Sequence, residues 1–205
     1  MNLTRLKELE RDFLERYPAG FDDPEMQAIV KKHRKGKMED EARESFGPER
    51  FENPVAVCER FGKLLGKSSV LSVFEKPRLR EAIAGFAPPE QAGFADAIRE
   101  RLHGDGERGF GRMVEILAPH GLAKWPVVTV LPVYFRPRDE VFVKPTGAKA
   151  VVAAMGLPLS YRPRPDWAFY SGYRAALMEM IAASDPRLSP STLAFGGFLM
   201  MTLGS

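Results

Sequence analysis

Residues 127–144 read VVTVLPVYFRPRDEVFVK, and the interpretation of this stretch decides the fold. Its first five residues are mostly β-branched and show no helical spacing of apolar positions, which favours a strand. Turn-like residues follow at 136–139, and residues 140–144 alternate in polarity at their ends. The pattern predicts two strands joined by a short turn, a β-hairpin, with Pro132 at a sheet edge or a bulge.

Apolar residues recur at helical spacing over most of the remaining chain. In the first helix the repeat includes Leu6 and Phe13, and asparagine or aspartate before proline marks the starts of further helices at Pro24 and Pro54. The count is roughly nine helices beside the one hairpin. We therefore predict a mainly α (α+β) protein with a multi-helical single core and one β-hairpin near residues 127–144.

The length of 205 residues fits one domain, or two small ones that share a core. We expect residues 1–122 to form a helical layer and residues 123–205 to form the hairpin and the C-terminal helices. Because an isolated pair of strands is marginally stable, the hairpin must pack on helices. The two parts are therefore expected to form one globular unit.

Composition and charge exclude several classes of protein. The chain is 44% hydrophobic and 28% charged, which is typical of a folded chain. Its one cysteine, Cys58, cannot form an internal disulfide, and charged residues interrupt the apolar positions of the N-terminus, unlike a signal peptide. The longest apolar runs, residues 125–135 and 192–203, are shorter than the about 20 residues of a spanning helix. We expect a soluble cytoplasmic protein with no membrane partner.

Motifs for cofactor binding and catalysis do not fit their structural contexts. Residues 104–109 match G-x-G-x-x-G, but a predicted helix precedes them where a dinucleotide-binding fold needs a strand. The three histidines are far apart in the sequence and lack the short spacings of metal ligands, so we expect no metal and no cofactor. Cys58 lies on an apolar helical face, which favours a core position over a nucleophilic role.

Positive charge is concentrated in two parts of the chain. Residues 31–37 carry cations at five of seven positions, although acidic residues follow directly and a helix C-terminus attracts cations in any case. Residues 124–174 carry eight cations against three acids, a local net charge of +5 that exceeds the +3 of the whole chain. Aromatic residues are interleaved with these cations, which suits phosphate contacts combined with base stacking.

We hypothesise a binding or regulatory protein that engages a phosphate-bearing partner, such as nucleic acid, through this basic and aromatic face. The candidate binding residues are Arg136, Arg138, Lys144, Lys149, Arg162, Arg164, Tyr161 and Trp167. Affinity of this origin falls steeply with salt, because it depends on the release of counterions.

Two alternatives stay open, although the sequence favours a binding protein over an enzyme. An enzyme would act on an anionic small molecule in a cleft beside the hairpin, with Arg162 and Arg164 holding the anion and His120 or Tyr161 as acid or base. A protein–protein interaction module would instead use residues 193–203, which contain no charge. A helix that is apolar all round is either buried or covered by a partner, so this segment could also form a homodimer.

Overall fold

The computed structural model describes residues 1–32 and 35–204, and within these ranges the chain forms eleven α-helices and three short 3₁₀ helices. The α-helices are α1 (Leu3–Arg16), α2 (Pro24–Lys32), α3 (Lys35–Ser45), α4 (Pro54–Lys67), α5 (Lys76–Ala84), α6 (Pro88–His103), α7 (Gly106–Leu117), α8 (Trp125–Phe135), α9 (Pro145–Ala154), α10 (Trp167–Ala183) and α11 (Thr192–Leu203). The 3₁₀ helices are Gly20–Asp22, Pro48–Arg50 and Pro186–Leu188. The expectation of a mainly α protein is confirmed.

Several helices begin where the sequence supplies a capping side chain. Asn53, Asp166 and Ser191 each accept a hydrogen bond from the backbone N–H three residues further on, at 3.2, 2.8 and 3.1 Å. The first turn of a helix leaves such N–H groups without an intrahelical partner, so these contacts fix the starts of α4, α10 and α11.

The predicted β-hairpin is wrong, because the described residues contain no strand and residues 125–135 form α8. Pro126 lies in the first turn of this helix, where its missing N–H costs nothing. Nine of the eleven residues of α8 are buried, so the helix is packed on nearly every side. Burial from all directions stabilises a helix whose β-branched residues are poor helix formers on their own.

The second half of the predicted hairpin is an extended segment without a strand partner. Two side chains bond its backbone in place of a sheet: the Thr129 hydroxyl accepts from the Val143 N–H at 3.1 Å, and the Tyr170 hydroxyl accepts from the Val141 N–H at 3.4 Å. Thr129 also donates to the carbonyl of Trp125 at 2.7 Å. Side chains of α8 and α10 therefore satisfy buried backbone groups that the hairpin would have paired.

Buried residues from all parts of the chain belong to one hydrophobic cluster. Helix α6 packs along α7 and against α4, α4 also packs against α5, and α8 packs against α3. Helix α11 contacts α1, α9 and α10. Among residues 1–32 and 35–204, no helix combines the length and apolar character needed to cross a bilayer. The division into a layer of residues 1–122 and a second part stays a prediction.

Candidate ligand-binding groove

Five of the six cations predicted to bind a phosphate-bearing partner are exposed. These are Arg138, Lys144, Lys149, Arg162 and Arg164, and within the described residues no salt bridge joins any of them to a carboxylate. Arg136 differs, because its Nη2 lies 2.7 Å from the Oε1 of Glu140. Five charges therefore remain available to solvent, whereas Arg136 shares the carboxylate of Glu140 with Arg101.

The two predicted aromatic residues pack toward the core. The ring of Tyr161 lies edge-on to Phe169, with 5.5 Å between centroids, and Lys149 Nζ lies 4.9 Å from the same ring. Trp167 contacts the rings of Phe110 and Tyr170 at 5.6 and 5.4 Å. Both aromatic residues are half-buried and already have ring partners, which reduces the area left for stacking bases.

The predicted basic residues lie near both ends of α8 and on or beside α9. Arg162 lies at the start of α8, where its carbonyl accepts from Trp125 Nε1 at 2.7 Å, and Arg136 is the residue that follows the end of α8. Lys149 Nζ lies 4.9 Å from the ring of Tyr161, the residue before Arg162. Lys144 immediately precedes α9, which carries Lys149, and Lys144 lines a groove. The N-terminal cluster 31–37 contains His33 and Arg34, which lie outside the described residues.

A buried charge cluster that no local sequence pattern predicts joins Arg101 to Glu140. Arg101 donates to both carboxylate oxygens of Glu140, at 2.9 and 2.6 Å, and to the hydroxyl of Tyr170 at 3.0 Å. Tyr170 in turn hydrogen-bonds to Glu140, and the Trp167 ring lies 5.5 Å from the Arg101 guanidinium carbon. Only 2% of the Arg101 surface and 4% of the Glu140 surface are exposed.

The protonation of this cluster follows from its contacts. Burial alone would raise the pKa of Glu140, but the hydrogen bonds and charge of Arg101 hold that pKa below its usual range. Burial alone would lower the pKa of Arg101, and Glu140 raises it above the ordinary value. Burial raises the pKa of Tyr170. All three groups are therefore fixed in their usual neutral-pH forms, which suits a structural contact between α6, α10 and the extended segment.

A groove with a volume of about 460 Å³ lies between α2, α9 and α11. Its walls include the exposed or half-buried apolar side chains of Ile29, Val30, Leu193 and Met200. Its floor includes side chains that belong to the core, namely Phe21, Met26, Tyr134, Val151 and Tyr173. The groove is therefore apolar and reaches below the general surface of the protein, as small-molecule sites do.

Two glycines of α11 leave one wall of the groove bare. An added Cβ at Gly196 or Gly197 would meet no heavy atom within 4 Å outside the local helix backbone. Gly147 on α9 is different, since an added Cβ there would lie 3.0 Å from the Met200 sulfur. A glycine inside a helix costs about 0.5–1 kcal/mol relative to alanine. Gly147 permits α9 and α11 to approach, whereas no packing contact in the free protein explains Gly196 and Gly197.

The groove has one cation and one acid among its lining residues, Lys144 and Asp22. Both side chains are exposed, so the charges lie at the rim. Lys144 immediately precedes α9, and no side chain caps the start of that helix. Because the N-terminal end of a helix favours negative charge, Lys144 and α9 both attract an anion to the same end of the groove.

A second cavity, with a volume of about 450 Å³, lies between α4 and α5. Cys58 lines it together with charged side chains that include Lys63 and Arg80. Burial raises the pKa of the Cys58 thiol to about 11, so the thiol is protonated at neutral pH. A protonated, buried cysteine is a poor nucleophile, in agreement with the core position expected from the sequence.

The residues suggested as acid or base have structural partners. His120 Nε2 lies 2.8 Å from the Oε1 of Glu90, and Tyr161 contacts the rings of Trp125 and Phe169. Neither His120 nor Tyr161 lines the groove or the second cavity. Within residues 1–32 and 35–204, no group of three or more histidine, cysteine or acidic side chains could hold a metal ion.

Comparison with known proteins gives no relative for this chain: no family model, no curated protein and no solved structure matches it.

Proposed function

We propose that the protein binds a single-chain amphiphile with an anionic head group, with the chain in the groove between α2, α9 and α11 and the head group at Lys144. The observation that carries the proposal is the bare wall at Gly196 and Gly197 in an apolar groove. Glycine disfavours the helix at both positions, and the absence of side chains there leaves space along the groove that a bound hydrocarbon chain would fill.

The size of the groove suits a long hydrocarbon chain. An apolar cavity of about 150 Å³ binds one benzene molecule. The groove volume of about 460 Å³ is three times larger, which corresponds to roughly 15–20 carbon atoms on the same scale. An unbranched hydrocarbon chain in the groove would place its methylene groups against the buried lining residues Tyr134 and Tyr173.

The charges at the rim favour an anionic head group over a cationic one. Lys144 and the start of α9 act together on an anion, whereas Asp22 contributes a single exposed negative charge at the rim. A carboxylate and a phosphate both meet this requirement. The enzyme alternative also places an anionic small molecule beside residues 127–144, and Phe142 and Lys144 of this stretch line the groove. Arg162 and Arg164, the residues suggested there for holding the anion, do not line it.

A panel of ligands with one chain and different head groups tests the proposal. Isothermal titration of the full-length protein uses four ligands with the same hydrocarbon chain: hexadecanoate, hexadecyl phosphate, hexadecanol and hexadecyltrimethylammonium. The comparison separates the contribution of the head-group charge from that of the hydrocarbon chain. We expect the two anions to bind most tightly. K144Q should weaken both anions by roughly two- to fivefold, the range of an exposed charge contact, and leave hexadecanol unchanged. The matched rim variant D22N should bind the anions at least as well as the wild type.

Several results would overturn the proposal. The proposal would be contradicted if none of the four ligands bound, or if the cationic amphiphile bound as tightly as the anions. Equal effects of K144Q and D22N on the affinity for the anions would also contradict it. The comparison of hexadecanoate with hexadecyl phosphate tells whether a carboxylate or a phosphate is preferred.

The exposed cations away from the groove favour a second candidate, the phosphate-bearing macromolecular partner inferred from the sequence. Arg138, Lys149, Arg162 and Arg164 have no carboxylate partner among the described residues, which leaves their charges free for phosphates. Binding of a mixed-sequence RNA or DNA oligonucleotide measured between 50 and 500 mM salt, values chosen for the assay, tests it. An R162Q/R164Q variant should lower the slope of affinity against salt. Affinity that does not change with salt would refute this candidate.

Two further expectations from the sequence, a cytoplasmic location and a homodimer through residues 193–203, stay proposals. Half of α11 faces inward through Phe195, Phe198 and Leu199, which are fully buried. The other half lines the groove, so a second copy would compete with the amphiphile for one surface. Light scattering with and without hexadecanoate tests the dimer, and imaging of a fluorescent fusion tests the location.

A further inference from the structure

The turn between α4 and α5 displays the most exposed large apolar side chain of the described residues. Phe74 is 90% exposed and its neighbour Val73 is 67% exposed. The other exposed large apolar side chains of that part of the chain reach at most 49%. A phenylalanine almost wholly in water contributes nothing to the core, although full burial of such a side chain is strongly favourable.

Phe74 lies in a backbone turn whose flanking residues belong to the core. The backbone N–H of Glu75 donates to the carbonyl of Ser72 at 3.1 Å, which closes a turn around Val73 and Phe74. Leu71 before the turn is buried, and Leu79 after it is buried on α5. Both ends of the turn are therefore attached to the core, and its tip presents two apolar side chains to solvent.

Two cations follow this apolar tip directly in the chain. Lys76 and Arg78 lie within four residues of Phe74, and within the described residues no salt bridge joins either of them to a carboxylate. Glu75, the acid beside Phe74, is paired with Lys124, so these two charges neutralise each other. The guanidinium of Arg78 lies close to Gly121, 3.2 Å from the position of an added Cβ. The apolar tip is therefore followed by two cations without a carboxylate partner.

We propose that the turn with Val73 and Phe74 docks on an anionic lipid bilayer, with Phe74 inserted at the interface and Lys76 and Arg78 over the charged head groups. Aromatic and apolar side chains enter the boundary between head groups and acyl chains, and each nearby cation adds attraction to an anionic leaflet. Such surface contact needs no spanning helix, and the described residues contain none. An acidic protein surface would also attract the cations, but unlike a bilayer it offers no apolar layer into which Phe74 could insert.

The proposal is independent of the amphiphile site, although the two are neighbours in sequence. Ser69 and Val70 line the groove, and the docking turn follows directly after them. A variant of Phe74 should therefore lose vesicle binding and keep hexadecanoate binding. Failure of one proposal is thereby distinguishable from failure of the other.

Vesicle co-sedimentation of the full chain tests the docking. The vesicles contain phosphatidylcholine alone or phosphatidylcholine with phosphatidylserine at about a third of the lipid, so that the surface is strongly anionic. We expect binding to the anionic vesicles and little to the neutral ones. F74S should weaken binding by about tenfold or more, since it removes the inserted ring. V55S is the matched control, because Val55 is 47% exposed on α4, and it should change binding less than twofold.

A spectroscopic arm reports insertion directly. In F74W the new indole should shift its emission to the blue and be quenched by brominated phosphatidylcholine when anionic vesicles are added, whereas in V55W it should not. Lack of binding by the wild type, equal binding by F74S, or equal spectral responses of F74W and V55W would overturn the proposal. Equal binding to neutral vesicles would refute the role given to the cations.

Discussion

The guanidinium of Arg101 and the carboxylate of Glu140 form a two-point contact inside the protein, with hydrogen bonds of 2.9 and 2.6 Å. Arg101 lies on α6, and Glu140 begins the extended segment that follows α8. Two more side chains complete the cluster, since Tyr170 on α10 and Arg136 also hydrogen-bond to Glu140. The pair thereby determines where the segment that leads to Lys144 and the groove lies.

Loss of either partner should destabilise the fold strongly. R101M leaves the Glu140 charge buried without its principal partner, and breaking such a pair costs about 3–5 kcal/mol. We expect this loss in the free energy of unfolding measured by urea denaturation. R99M is the control, because Arg99 forms only an exposed salt bridge with Asp96 and should change stability little. Similar losses in R101M and R99M would contradict the structural role of the buried pair.

The same pair predicts how stability depends on acid pH. The pKa of Glu140 is lower in the folded protein than its ordinary value of about 4.3. A carboxylate of this kind stabilises the fold fully above the unfolded pKa, and the contribution is lost as pH falls through the lower folded value. The free energy of unfolding should therefore fall below about pH 4.3. E140Q should weaken that decrease, whereas E179Q, at an exposed glutamate on α10, should retain it.

The two bare glycines of α11 predict opposite effects on stability and on binding. G196A and G197A should each stabilise the free protein by about 0.5–1 kcal/mol, because alanine favours the helix and its Cβ meets open space. The same methyl groups narrow the groove, so affinity for hexadecanoate should fall. Thermal unfolding and titration calorimetry on the same samples measure both effects.

The control for this experiment is G147A, where an added Cβ would lie 3.0 Å from Met200 and the side chain must move. We expect G147A to stabilise the protein less than the two α11 variants do. If G196A and G197A gained stability and bound hexadecanoate as tightly as the wild type, the ligand would not occupy that wall.

Local signals in the sequence predicted helix starts but not the path of the chain across the core. Asparagine and aspartate caps at Asn53 and Asp166 act over three residues, so their effect can be inferred from neighbours alone. The contact between Arg101 and Glu140 joins residues 39 positions apart and has no local signature. The groove likewise combines residues from 21–30, 142–151 and 190–201, which only the folded chain brings together.

The hairpin prediction was wrong because it rested on the β-branched composition of the segment and did not take into account that the segment is buried on nearly every side. A short apolar run of β-branched residues fits a buried strand or a buried helix equally well, and periodicity cannot separate them when all faces are apolar. Residues 193–203 follow the helix-start signal Ser189-Pro190-Ser191 and are helical as predicted, whereas no capping side chain precedes residues 125–135. Pro132 did not prevent the helix, and no described carbonyl–amide ladder supports a strand there.

Thr129 offers the sharpest test of the corrected arrangement of α8. Its hydroxyl donates to the Trp125 carbonyl at 2.7 Å and accepts from the Val143 N–H at 3.1 Å, and the residue is fully buried. T129V keeps the shape but leaves the Val143 N–H without its partner, which should cost about 1–3 kcal/mol in the free energy of unfolding. T129S keeps the hydroxyl and should lose less. In a β-hairpin, valine at this position would favour the strand. A T129V variant with an unchanged or higher free energy of unfolding would therefore contradict the hydrogen bond between Thr129 and the Val143 N–H.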